Sequence, residues 1–155
     1  IGGKKQDGKY KLGDRFNKVR IAELIKTIAS YRDHISVYSE DALSLLDRCK
    51  SFLPKKSIVY LDPPYYVKGQ GLYRNYYNHN DHLEISKKLQ SELFERKWVV
   101  SYDNCPEIKE MYKTCYKYDY ELNYSAQRRY VGKEVMFFSD NLKMPQGFPI
   151  KTSRR

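Results

Sequence analysis

"IVYLDPPYYVKG", residues 58–69, runs four strand-forming residues into an acid, two adjacent prolines and two tyrosines. The β-branched and aromatic run predicts a buried strand over residues 57–62. Pro63 and Pro64 bring no backbone N–H and hold two φ angles, so strand pairing ends there and carbonyls are left with nothing opposite them. A strand that stops on a stiffened turn just as Asp62 emerges calls for another user of those carbonyls.

On either side, apolar spacing sets out alternating helices and strands. Asn17 can cap a helix with Ile21, Leu24, Ile25 and Ile28 at i, i+3, i+4, i+7. "HISVYS", residues 34–39, alternates like a strand, and "EDALSLLDRC" reads as a short helix with Leu43 and Leu46 on one face, closed before Pro54. Beyond a tyrosine-rich loop, Asp81 with Glu84 resembles a capping box, and Ile85, Leu89 and Leu93 mark the buried face of a helix to about residue 95. "KWVVSYD" reads as a strand covered on both faces, Pro106 opens a helix over 106–113, and "YKYDYEL" and "EVMFFS" form a final antiparallel pair. This order predicts an α/β fold with a mostly parallel sheet, whose ligands lie beyond the carboxyl ends of the strands, where Asp62 stands.

Charge narrows the partner. There are 29 Lys and Arg against 19 Asp and Glu, a formal +10, in a chain that is 41% apolar. Such an excess points to a polyanion, although a merely soluble basic surface has the same sign. Sixteen tyrosines interleaved with cations, as in "GLYRNYYNHN" and "YSAQRRY", favour nucleic acid, because phosphate attraction is combined with faces on which bases stack. Cys49, Cys105 and Cys115 form neither a disulfide framework nor a zinc pattern, which fits a reducing cytoplasm. His79 and His82 could share a helix face, but no third ligand is grouped with them, so no metal is expected. No apolar run approaches ~18 residues and no signal-peptide pattern is present, so neither membrane insertion nor secretion is expected.

"DPPY" at the end of an apolar strand resembles the catalytic motif of amino-group methyltransferases. With "GGKKQDGKYKLGDRFNK", "DPPYYVKGQGLY" followed by "DH", "WVVSYDNCPEI" and "YSAQRRYVGKEVMFF", the chain resembles the D12 class of DNA adenine-N6 methyltransferases, the Dam-like group. The resemblance implies a Rossmann-like sheet, S-adenosylmethionine as cofactor and double-stranded DNA as partner. It assigns catalysis to Asp62, Pro63, Pro64 and Tyr65. Adenine N6 is a poor nucleophile because its lone pair is delocalised into the ring. The Asp62 carboxylate and the Pro63 carbonyl are two acceptors for its hydrogens, and positioned acceptors of this sort carry much of catalysis. Family members flip the target base, and Tyr65 would stack on it.

By the same resemblance, Asp41, Asp62 and Pro63 adjoin the cofactor, though a helix cap explains Asp41 equally well. Lys4, Lys5, Tyr10, Lys11, Arg15 and Asn17 belong to a DNA-contacting arm over residues 1–17, Tyr66 and Arg74 to the loop beside the flipped base, and Arg128 and Arg129 to a second contact loop. Each of these is equally readable as a solvated surface residue. The catalytic domain is then expected over residues 1–142, with a loosely held basic tail over 143–155. One departure stands out. The family carries an upstream glycine-rich FxGxG strand and turn for the methionine part of the cofactor, and no such stretch is present here; Gly2, Gly3, Gly69 and Gly71 cannot replace it. The chain therefore reads as the C-terminal part of such an enzyme, lacking the first strands and leaving a sheet edge for a missing N-terminal half or a partner chain. A non-catalytic nucleic-acid-binding module, or a methyltransferase acting on RNA bases or on protein glutamine, are the competing readings.

Overall fold

A computed structural model of the chain describes residues 4–5, 7–10, 13, 16–67, 76–91, 95–124, 130–149 and 151–152. The chain divides into two units, Ile1–Ser39 and Glu40–Arg155.

In the first unit, helix α1 (Lys18–Ser30) starts where the sequence places it, with the Asn17 side chain accepting the Arg20 N–H at 3.0 Å. Its apolar positions Ile21, Leu24, Ile25 and Ile28 are all exposed, and α1 buries no residue. A 3-10 turn (Arg32–His34) follows. "HISVYS" does not become a strand. The backbone is extended at Ile35 (φ −119°, ψ 121°), but residues 35–40 join no strand ladder among the described residues, and Val37 is 89% exposed. Alternation supplies a conformation, while a strand also needs a ladder partner.

The second unit holds α2 (Ala42–Phe52), β1 (Ile58–Leu61), α3 (His79–Gln90), β2 (Lys97–Asp103), α4 (Pro106–Met111), β3 (Tyr116–Tyr124), β4 (Tyr130–Phe138) and a two-residue β5 (Lys151–Thr152). The sheet order is β1-β2-β4-β3-β5. β1 and β2 are parallel, with Val59 opposite Trp98, because α3 lies on the crossover between them. β4 runs antiparallel to both of its neighbours, with Phe137 opposite Val100 of β2 and Lys117 of β3. The sheet is thus mixed, with one parallel pair, rather than mostly parallel. Residues 125–129 are too few for a crossover, so the chain must return as a hairpin, and β4 then inserts between β2 and β3.

One face of the sheet carries the core. Trp98, Val100, Tyr102, Val135 and Phe137 pack with Leu46, Ile85, Leu89, Ile108 and Tyr112, and the Tyr112 and Phe137 rings stack at 4.7 Å. Along "WVVSYD" the even positions 98, 100 and 102 take this face. Ser101 and Asp103 therefore turn to the other, and both are buried there as well.

The cap of α3 differs from expectation. Asn78 is the N-cap, accepting the Asp81 N–H at 3.2 Å, while Asp81 accepts the Asn78 N–H at 2.8 Å. Asp81 is thus the third helical residue of a capping box that begins three residues earlier than predicted. Asn serves as N-cap as well as Asp, and spacing alone does not choose between overlapping boxes. Ile85 and Leu89 are buried as expected, and Leu93 lies outside the described residues. In the expected tail, Phe148 packs on Tyr118 and Phe138, and Lys151–Thr152 pair with β3. Among the described residues, no helix is long and apolar enough to cross a membrane.

Candidate active site

Asp62 follows the last residue of β1, at the carboxyl end of the parallel pair. Its Oδ1 lies 2.9 Å from Ser101 Oγ, which is also 2.9 Å from the Tyr60 hydroxyl. A carboxylate only accepts and Ser101 has one hydrogen to give, so Tyr60 donates to Ser101 and Ser101 donates to Asp62.

Pro63 and Pro64 offer no donor, but the amides after Tyr65 are held. Tyr66 N–H donates to Asp103 Oδ1 at 2.8 Å, and Val67 N–H to Asp103 Oδ2 at 2.9 Å. Between these anchors the Tyr65 hydroxyl donates to Glu134 Oε1 at 3.0 Å. Glu134 stands directly across from Asp103 on β4, is buried, and also accepts the Tyr120 hydroxyl at 2.8 Å. Burial above all, and then the Glu134 carboxylate, push the Tyr120 phenol well above the ordinary tyrosine range. The Asp62–Val67 segment is therefore tied to β2 and β4 at three points.

Behind it, Tyr66 bonds His79 Nδ1 through its hydroxyl (2.9 Å), and its ring tilts against His82 at 5.2 Å. His82 is fully buried among Tyr66, Tyr77 and Tyr102, with Nδ1 3.1 Å from the Tyr102 hydroxyl. Burial lowers its proton affinity; Asp103 and Asp81 act in the opposite sense, and His79 adds to the lowering. The two histidines thus meet the same Tyr66 ring from one helix, and no group of three or more His, Cys, Asp or Glu suited to a metal occurs among the described residues. The three cysteines are free and buried, and burial pushes the Cys105 thiol up to about 11.

A cavity of about 290 Å³ adjoins Asp62, Pro63 and Pro64, walled mainly by apolar side chains that include Leu46, Val59, Tyr77 and Ile85. Asp41 caps α2, its Oδ1 accepting the N–H groups of Leu43 (2.9 Å) and Ser44 (3.2 Å). Of the expected DNA-contacting residues, Lys4, Lys5 and Tyr10 are exposed in the first unit, and Asn17 caps α1. Lys11, Arg15, Arg74, Arg128 and Arg129 lie outside the described residues.

Sequence reading missed Ser101, Asp103 and Glu134. For the first two a signal existed: on the face opposite Trp98, Val100 and Tyr102, the strand carries Ser101 and Asp103 at i and i+2. Glu134 had none, since its role depends on β4 lying beside β2.

Compared with known families, residues 4–129 match the D12 class N6 adenine-specific DNA methyltransferases, a span that includes Asp62 to Val67 and stops short of β4. No curated protein matches the sequence. The family match covers well over half of the chain, and on that ground the chain belongs to the D12 class of N6 adenine-specific DNA methyltransferases.

Proposed function

We propose that this chain carries the part of an adenine-N6 DNA methyltransferase that grips the target adenine and contacts DNA. The observation that carries the reading is the Asp62–Tyr65 segment, which leaves the end of a parallel strand pair tied down on both sides and bordered by a cavity. With Ser101 on Oδ1, Asp62 has Oδ2 for the adenine amino group, and the Pro63 carbonyl is the second acceptor. Hydrogen bonds from both amino hydrogens localise the nitrogen lone pair, and Asp62 is placed to take the proton that N6 sheds on methylation. Tyr65, held by Glu134, stacks on the flipped base.

S-adenosylmethionine, the cofactor the family implies, supplies the electrophilic methyl group when bound. The residues here fit its adenosyl part: the cavity's apolar walls suit a purine ring, with the Asp62 carboxylate and the Pro63 carbonyl as polar groups in its wall, and Asp41, which caps α2, is the neighbour in sequence of the lining residue Ala42. The glycine turn for the methionine part is not in this sequence. β1 is the edge of the sheet among the described residues, and its Ile58 and Tyr60 are 56% and 57% exposed. These features support a further segment or partner chain that pairs with β1 and completes the cofactor site.

Calorimetric titration of S-adenosylmethionine into the 155-residue chain tests whether the cofactor site is complete, and micromolar binding would mean that the missing turn is replaced. Asp62→Ala tests the catalytic assignment. Methyl transfer to DNA should vanish while duplex affinity stays within a few fold; equal loss of both would argue against it. Arg128→Ala should instead weaken duplex binding and reduce its salt dependence by about one phosphate contact.

A further inference from the structure

We propose that Asp103 is a positioning residue for methyl transfer, fixing the far end of the Asp62–Val67 segment as Ser101 fixes the near end. This rests on the reading of Asp62 as the group that meets the acceptor nitrogen.

Within residues 62–67 two positions are prolines, so the backbone offers few handles by which a scaffold can hold it. Asp103 takes two of them at once, one carboxylate oxygen to each of the Tyr66 and Val67 amides. Ser101, two residues earlier on the same face of β2, takes the Asp62 side chain. A single rigid strand, paired on both sides by β1 and β4, thereby sets the distance between the segment's two ends. Folding alone does not demand this. Val67 is 62% exposed, so water could satisfy its amide, whereas Asp103 is only 6% exposed, and burying a carboxylate is costly unless it is fully bonded. What the buried acid secures is the placement of the Asp62 carboxylate and the Pro63 carbonyl. Reaction rates are sensitive to such placement, and a displacement of about 1 Å costs on the order of 100-fold.

The test compares the 155-residue chain with Asp103→Asn and Ser101→Ala in three measurements: methyl incorporation into unmethylated duplex DNA, duplex affinity, and amide exchange at Tyr65–Val67. Asn replaces one carboxylate oxygen with a second donor, so one of the two amide bonds must be lost. For Asp103→Asn, kcat should fall by about 10- to 100-fold while KM for DNA and duplex affinity stay within about threefold. Exchange at Tyr66 and Val67 should rise by about tenfold or more. Ser101→Ala should lower kcat with exchange at those two amides unchanged.

Faster exchange with unaltered kcat would overturn the proposal, as would unaltered exchange, or a fall in kcat matched by lost duplex affinity. If Asp103→Asn loses its cooperative thermal transition, Ser101→Ala decides, and an unchanged kcat there overturns the proposal. The glycine turn of the cofactor site is not in this sequence, so a wild-type chain that transfers no methyl group reports on the cofactor site and not on Asp62 or Asp103. The exchange measurements then decide, and unaltered exchange at Tyr66 and Val67 in Asp103→Asn overturns the proposal, an outcome distinct from failure of the reading of Asp62.

Discussion

Replacing Tyr65 separates what its hydroxyl does from what its ring does. The hydroxyl donates to a buried carboxylate at 3.0 Å, and hydrogen bonds to charged groups contribute about 1.5–3 kcal/mol. Glu134 keeps Tyr120 at 2.8 Å, so Tyr65→Phe does not strand it, and the cost belongs at the low end, about 1.5 kcal/mol. The ring survives in Tyr65→Phe and is lost in Tyr65→Ala. If the ring stacks on a flipped adenine, Tyr65→Ala forfeits a further ~1–3 kcal/mol of stacking. At about 1.4 kcal/mol per factor of ten, that is about 5- to 150-fold in kcat/KM beyond the Phe variant. Urea unfolding reads the first quantity, and methyl transfer to unmethylated duplex DNA, with protein kept well below its urea midpoint, reads the second. Two results would refute the reasoning. Phe and Ala variants with equal kcat/KM would mean that the ring does not stack, and an unshifted urea midpoint for Tyr65→Phe would mean that the Glu134 anchor adds nothing.

Glu134→Gln should let the Tyr120 phenol ionise at lower pH than in the wild type, because a negative neighbour is removed. It should still ionise above an ordinary tyrosine, since burial is the larger cause; ultraviolet titration referenced to Tyr120→Phe reads the shift, and a rise would contradict the assignment. His82 gives stability a pH dependence of known sign. Its folded proton affinity is lowered by burial, so the unfolded chain binds the extra proton as pH drops below about 6.5, and stability falls by at most about 1.4 kcal/mol per pH unit until the folded imidazole also protonates. Above that range its contribution is flat, and His82→Gln should flatten the slope just below about pH 6.5 in denaturation experiments; an identical slope would assign the effect elsewhere. Asp41→Ala removes the cap of α2 at a cost of about 1 kcal/mol in urea unfolding, and Asp41→Asn should recover most of it.

Much of this architecture is written locally. β1 ends at Leu61 because Pro63 and Pro64 cannot donate, α1 begins after Asn17, and β3 and β4 form a hairpin because only residues 125–129 separate them. Each follows from backbone chemistry within a few residues. Where expectation and structure differ, the deciding partner is distant in sequence. "HISVYS" has strand alternation but joins no strand ladder among the described residues, and the sheet keeps one parallel pair because β4, antiparallel to both neighbours, inserts between β2 and β3. α1 has the apolar spacing of a buried helix and buries nothing.

The candidate site divides along the same line. The sequence by itself determined that Asp62 emerges from a strand onto a double proline, because φ restriction and missing donors are properties of the residues themselves. Only the tertiary structure decided what holds that segment still. Ser101 and Asp103 reach it because β2 lies beside β1, and Glu134 reaches Tyr65 because antiparallel register sets it opposite Asp103, across distances in sequence over which no local pattern extends.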